Sequence, residues 1–340
     1  MATGVSIEIL DLRHFAAPVL RPVLDAEGEV WKERLHWDYR ASSKLLMQYL
    51  DSHMLPGYAA LEGGQVTGYA FCVYEETKAV IGDVFALSST GTAMDGIPVF
   101  GGADQLPATA HEIEQTLLKH LFETLLNSPH VDRIESQLLL HPSGVHSGIF
   151  RMAGFEVCRR LFLVQQLHGM WNQPHAELQH GLEIRGWREE DLTPAGQLIF
   201  EAYVDHPDSV INDQYRSIQG SQRFLHNIVR YSGCGAFSAP VSHVVVDRHS
   251  KQLVAMVLAS RVSAQSGHIT QLCVHPRYRR LGLARVLLAM AAFHFMRHGA
   301  TEISLTVTES NTKAIDLYLS EGYVCAHTFD AAVWERERPY

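Results

Sequence analysis

Polar and apolar positions follow the same succession twice along the chain. In the second half, "SHVVVDRHSKQLVAMVLASRVS" places alternating, β-branched runs on either side of a polar turn around Asp247–Lys251. That pattern predicts a strand, a turn and a second strand. "GHITQLCV" predicts a third strand. "LARVLLAMAAFHFMRH" repeats its apolar residues at helical spacing and runs into Gly299, a helix stop. "TEISLTV" then reads as a buried strand, "NTKAIDLYLSEG" as a short capped helix, and "YVCAHTFDAAVW" as a last strand.

The first half runs in the same order. "GYAALEGGQVTGYAFCVYE" is a hairpin turning at Glu62–Gln65, and "AVIGDVFAL" a third strand. A helix ("HEIEQTLLKHLFETLLNS"), a strand ("DRIESQLLL"), a short helix ("GVHSGIFRMAG") and a strand ("FEVCRRLFLVQQL") follow. The endings match best: "FRMAGFEV" and "YLSEGYVC" each stop a helix at a glycine and open a strand with an aromatic residue. Only the first half holds the long loop "SSTGTAMDGIPVFGGADQLP", where the second has "HPRYRRLG". Long loops of this kind are often functional. The polar stretch His168–Gly181 reads as a linker. Strands alternating with helices predict an α/β fold with a mixed sheet in each half. The expected domains are residues 1–167 and 182–340.

Composition narrows the function. The 340 residues suit two domains. A formal net charge of −9 disfavours a general nucleic-acid binder. Five scattered cysteines without a C-x-x-C pair read as reduced thiols, so a cytoplasmic protein is expected. The start, "MATGVSIEILDLRHF", lacks a cationic leader, and no apolar run approaches the ~20 residues of a membrane span. Twenty histidines raise the question of a metal. "HEIEQ" at His111 comes nearest to a zinc signature, but it ends in Gln115 instead of a second histidine. His294 and His298 stand one turn apart without a visible third ligand. No metal is expected from these, because zinc needs three or four converging ligands.

"HPRYRRLGLARVLL" is the most informative stretch. Arg279, Arg280, Leu281, Gly282, Leu283 and Ala284 lie between a predicted strand and a predicted helix. A helix N-terminus offers unpaired N–H groups and a partial positive charge, and a preceding turn adds further amides, so the whole suits a phosphate. Gly282 permits close backbone approach, Ala284 keeps the first turn clear, and the arginines supply charge. The segment is not a Walker A loop, since no Gly-Lys-Ser/Thr follows.

With "ITQLCVHPRYRRLGLARVLL" and "TESNTKAIDLYLSEGY", residues 183–334 resemble the GNAT superfamily of N-acetyltransferases, whose cofactor signature is R/Q-x-x-G-x-G/A. Residues 5–167 resemble it in element order only. The resemblance implies two tandem acyl-CoA N-acyltransferase domains, the C-terminal copy intact and the N-terminal one degenerate. It implies acetyl-CoA as cosubstrate, with the pantetheine arm pairing along Leu272, Cys273 and Val274. The diphosphate would sit on residues 279–284 and Arg285. Asn311 would cap its helix and contact the arm, and Tyr318 would assist the departing thiolate.

The chain departs from the family at the general base. Gln271 stands where many members place a glutamate, which leaves Glu309, His275 or a water chain. Cys273 reads as a buried strand residue instead of a nucleophile. Asp205, Asp208 and Asp213, with Tyr203 and Tyr215, lie in the region expected to cover the acceptor and are suited to attract a cationic amine. The expected activity is acetyl transfer to a primary amine of a small molecule or peptide. A non-catalytic acyl-CoA-binding or interaction module is the competing reading, and transfer to an alcohol or from a longer acyl-CoA a lesser one. The acceptor and the oligomeric state are not legible.

Overall fold

The computed structural model of the chain describes residues 7–87, 108–168, 178, 181–231 and 235–337. The long loop at 88–107 and most of the expected linker lie outside the described residues. The first half runs β1 (Glu8–Asp11), α1 (Ala17–Leu35), α2 (Arg40–Asp51), β2 (Gly57–Glu62), β3 (Gln65–Glu75), β4 (Lys78–Ala86), α3 (Ala108–Leu126), β5 (Arg133–Gln137), α4 (Ser147–Met152) and β6 (Glu156–Gln166). The second runs β7 (Leu182–Gly186), α5 (Leu192–Ala202), α6 (Asp208–Ile211), α7 (Ile218–Arg230), β8 (Ala236–Phe237), β9 (His243–Asp247), β10 (Leu253–Arg261), β11 (Ser266–Val274), α8 (Leu283–Arg297), β12 (Glu302–Thr308), α9 (Thr312–Ser320) and β13 (Val324–Glu335). Among the described residues, no helix is long and apolar enough to cross a membrane.

These elements form two compact units. One comprises residues 1–35, 42–159 and 329–340; the other comprises 36–41 and 160–328. The first unit's sheet pairs β1, β2, β3 and β4 antiparallel in turn, β4 with β5 in parallel, and β5 with residues 331–335 of β13 antiparallel. The second repeats the plan: β7, β9, β10 and β11 antiparallel, β11 with β12 parallel, and β12 with residues 160–166 of β6 antiparallel. Each sheet is therefore closed by a strand from the other half of the sequence. The expectation that "FEVCRRLFLVQQL" and "YVCAHTFDAAVW" close their own halves is corrected here. Both strands follow the same helix–glycine–aromatic motif, and nothing local to a strand states which sheet receives it.

A β-bulge recurs in both units. It leaves Gly82 of β4 unpaired opposite Phe71/Cys72, and Thr270 of β11 unpaired opposite Leu258/Ala259. A bulge bends its strand and increases its twist.

In the second unit β10 is buried along nearly its whole length, because helices cover both faces. Leu283, Leu287, Leu288, Ala291 and Phe295 of α8 pack against Val257, Ile269, Ile303 and Leu305 on one face. Residues of α5 and α7, among them Leu198, Ile199 and Leu225, pack against Met256, Leu258 and Cys273 on the other. Leu287 is fully buried, and truncation of such a leucine to alanine costs about 2–5 kcal/mol. This packing fixes the start of α8 against the end of β11.

Candidate active site

β11 and β12 separate after a short shared ladder. Their parallel pairing covers Ser266–Ile269 against Glu302–Leu305, and among the described residues it extends no further. The unpaired Thr270 bends β11 at that point. Beyond it, Leu272, Cys273 and Val274 pair with Val257, Met256 and Ala255 of β10. Their other edge faces the gap, and its alternate main-chain groups are available to an added strand. Cys273 itself points into the core under α5 and α7. Burial pushes its thiol up to about 12, so the buried-residue reading holds and no thiolate is present at neutral pH.

The segment after β11 turns tightly before α8 begins. The His275 ring accepts from the Arg277 N–H at 3.2 Å, and the Tyr278 hydroxyl donates to Asp247 at 2.7 Å. Arg280 and Gly282 are both left-handed, with φ of 67° and 76°. A Cβ on Gly282 would meet nothing within 4 Å, so conformation and not space calls for glycine there. Gly282 opens the 15-residue α8 without a side-chain cap, and no acidic residue stands in the first turn. The amides of Leu283, Ala284 and Arg285 therefore have no partner within the helix, and no carboxylate competes for them. Left-handed residues next to a helix start make an amide-lined concavity suited to an anion.

The arginines divide their duties. Arg279 donates to the carbonyls of Ala202 at 2.8 Å and Val274 at 3.3 Å, bracing the turn against the end of α5. Arg285 reaches Glu321 and Ser320 at the end of α9. Arg280 is exposed on the turn. Of the three cations expected on the phosphate, two are thus directed at protein groups.

α9 follows directly on β12. Asn311 caps it, its side chain accepting from the Ala314 N–H at 3.3 Å, while its Nδ2 lies 3.1 Å from His206 Nε2. Tyr318 is 9% exposed. Burial, helped by the charge of Asp208 and opposed by Arg160, raises its pKa beyond any neutral range, so the hydroxyl keeps its proton.

The neighbouring groups are polar and mutually bonded. Gln271 of β11 is buried; its amide donates to the Tyr203 hydroxyl at 2.9 Å, and Tyr215 donates to its oxygen at 3.4 Å. The two tyrosine rings lie 4.2 Å apart. Asp208 accepts from the Thr308 hydroxyl and lies 4.0 Å from Arg160. Burial lowers the pKa of His206, which stays neutral at neutral pH.

The structure thus gathers Leu272–Val274, the Arg280–Ala284 turn, Asn311 and Tyr318 in one unit. Glu309 sits exposed in the turn between β12 and α9, and His275 Nε2 lies 3.4 Å from Glu201. Of the residues expected near the acceptor, Tyr203, Tyr215 and Asp208 join this network, whereas Asp205 is exposed. His206 and Arg160 were not anticipated. His206 was visible within "YVDHPD" beside Tyr203; Arg160 carried no signal, because β6 belongs by sequence to the other half.

Comparison with known proteins follows the same lines. The profile of the acetyltransferase (GNAT) family matches residues 208–323. A GCN5-related N-acetyltransferase from Sphaerobacter thermophilus is similar in structure, with a TM-score of 0.60 at 15% identity, covering 97% of this chain and 95% of that one. A tandem GNAT protein from the clavulanic acid biosynthesis pathway gives 0.57 at 12% identity, covering 98% of this chain and 100% of the other. At such identities the likeness is one of fold.

Proposed function

Taking as premise that the chain belongs to the GNAT acetyltransferase family, with the family profile in its C-terminal half and a tandem GNAT fold throughout, we propose that it is an acetyl-CoA-dependent N-acetyltransferase acting on a primary amine. The observation that carries the reading is the free edge of β11 running directly into an uncapped helix start, with Tyr318 buried on the helix that follows β12 and packed in the same core. The pantetheine arm adds to the edge as a strand, and the diphosphate rests on the amides of Gly282–Arg285, with Arg280 at the rim.

The amine attacks the thioester carbonyl, forming the C–N bond and a tetrahedral oxyanion. Collapse breaks the C–S bond; the Tyr318 hydroxyl donates a hydrogen bond to the departing thiolate, which takes its proton from solvent water. Gln271 is no proton acceptor, so the acceptor loses its proton to solvent water. Asn311 holds α9, and with it Tyr318, in place. His275 and Glu309, as placed, take no step in this scheme.

Thiol release from acetyl-CoA, measured over a panel of small amines and lysine- or N-terminal-amine peptides, tests the proposal. Turnover with at least one amine is expected. The neutral Gln271 favours one competing reading, a module that holds acyl-CoA without turnover. Acetyl-CoA binding without thiol release from any amine would establish that reading instead.

A further inference from the structure

The first unit contains a buried cluster for which the transfer reaction has no use. His111 and Glu114 lie one turn apart on α3, and His141 and His146 follow β5, before and at the start of α4. Glu114, His141 and His146 are 1%, 5% and 4% exposed. Ligand atoms of His111, Glu114 and His146 all lie within 4.8 Å of one another. His146 Nε2 is 3.2 Å from Glu114 Oε2 and 3.3 Å from His141 Nδ1, and the latter two atoms are 3.9 Å apart.

We propose that His111, Glu114, His141 and His146 form a binding site for one divalent metal ion of zinc type. Zinc bonds of ~2.0–2.1 Å in a tetrahedron hold donor atoms roughly 3.3 Å apart, close to two of the three measured separations. Nitrogen-rich donors with one carboxylate suit zinc better than calcium or magnesium.

The surroundings fit ligation. His141 Nε2 lies 2.7 Å from the Val84 carbonyl oxygen, to which it donates, so Nδ1 keeps its lone pair. A ligand histidine commonly donates its other ring N–H in this way. Gln115 Nε2 stands 2.9 Å from His111 Nε2; with that amide turned over, its oxygen accepts from Nε2–H and Nδ1 keeps the lone pair for a ligand bond. His111 Nδ1 and Glu114 Oε2 are buried without a hydrogen-bond partner, a costly arrangement for polar atoms that a cation relieves. A small cleft lined by His141, His146 and Asp330 lies beside the cluster. His111, Glu114 and His146 converge, with His141 beside the last two, and an ion held there ties α3 to the segment that carries α4.

The test uses the full-length chain, without an affinity tag, stripped with a chelator and titrated with cobalt(II) chloride. One equivalent is expected to bring up the intense visible absorption of tetrahedral cobalt, which zinc sulfate then abolishes. His111→Ala/His146→Ala, checked for folding by circular dichroism, should lose the band. If that variant does not fold, His111→Ala alone, at the half-buried position, is expected to weaken zinc affinity at least ~10-fold in calorimetry. Absence of the band at one equivalent, or affinity unchanged in the folded variants, overturns the proposal.

Discussion

Replacing Tyr318 by phenylalanine removes one oxygen from the proposed reaction and leaves its frame in place. The ring packs in the α8–α9 core, 5.8 Å from Tyr323, and phenylalanine fills the same volume. Burial and the nearby Asp208 keep the native hydroxyl protonated, so its part is to donate to the departing thiolate. A hydrogen bond to a charged group contributes about 1.5–3 kcal/mol. Each 1.4 kcal/mol is about tenfold in rate, which places the expected fall in kcat at ~10- to 100-fold. The interaction strengthens as charge develops on sulfur, so acetyl-CoA affinity should change less than about twofold. Thiol release under saturating acetyl-CoA gives kcat, and calorimetry gives the affinity. An unchanged kcat, or a loss confined to affinity, would refute the leaving-group role.

Further outcomes follow from the same network. With the neutral Gln271 buried in β11 and Tyr318 protonated throughout, kcat/KM should rise with pH up to the pKa of the amine used. An inflection that does not move with the amine, and vanishes in His275→Ala or Glu309→Gln, would reveal a protein base. His268 is buried against Ser304, and desolvation lowers its pKa to about 3. The folded state thus binds fewer protons than the unfolded state between that value and the unfolded ~6.5. The neutral ring's contribution is full above pH 6.5 and is lost as pH falls, by about 2 kcal/mol at pH 5. Urea unfolding at pH 7 and pH 5 should show the difference shrink by that amount in His268→Gln; an unchanged difference contradicts the assignment.

Much of the second unit was legible because its signals are local. The turn from His275 to Gly282 and the spacing of α8 lie within one continuous stretch, and the left-handed Gly282 is what that stretch requires. Asn311 as a cap and Cys273 as a core residue were legible for the same reason. Tertiary facts were not. The cation of Arg279 announces a phosphate contact in sequence, but the carbonyl of Ala202, far back in the chain, claims it. The exchange of β6 and β13 was hidden by the likeness of the two halves' endings. "HEIEQ" disclosed half of the histidine–carboxylate cluster, whereas His141 and His146 enter it from a different segment.

Calorimetric titration of the full-length chain with acetyl-CoA, compared with Arg280→Glu/Gly282→Asp, tests the central claim most directly. The pair of substitutions puts two carboxylates at the uncapped start of α8 and takes the freedom of glycine from a left-handed position. The account predicts saturable binding to the unaltered chain and loss of measurable heat in the variant, with both proteins folded by circular dichroism. Equal affinity in the two would place the cosubstrate elsewhere and contradict the account.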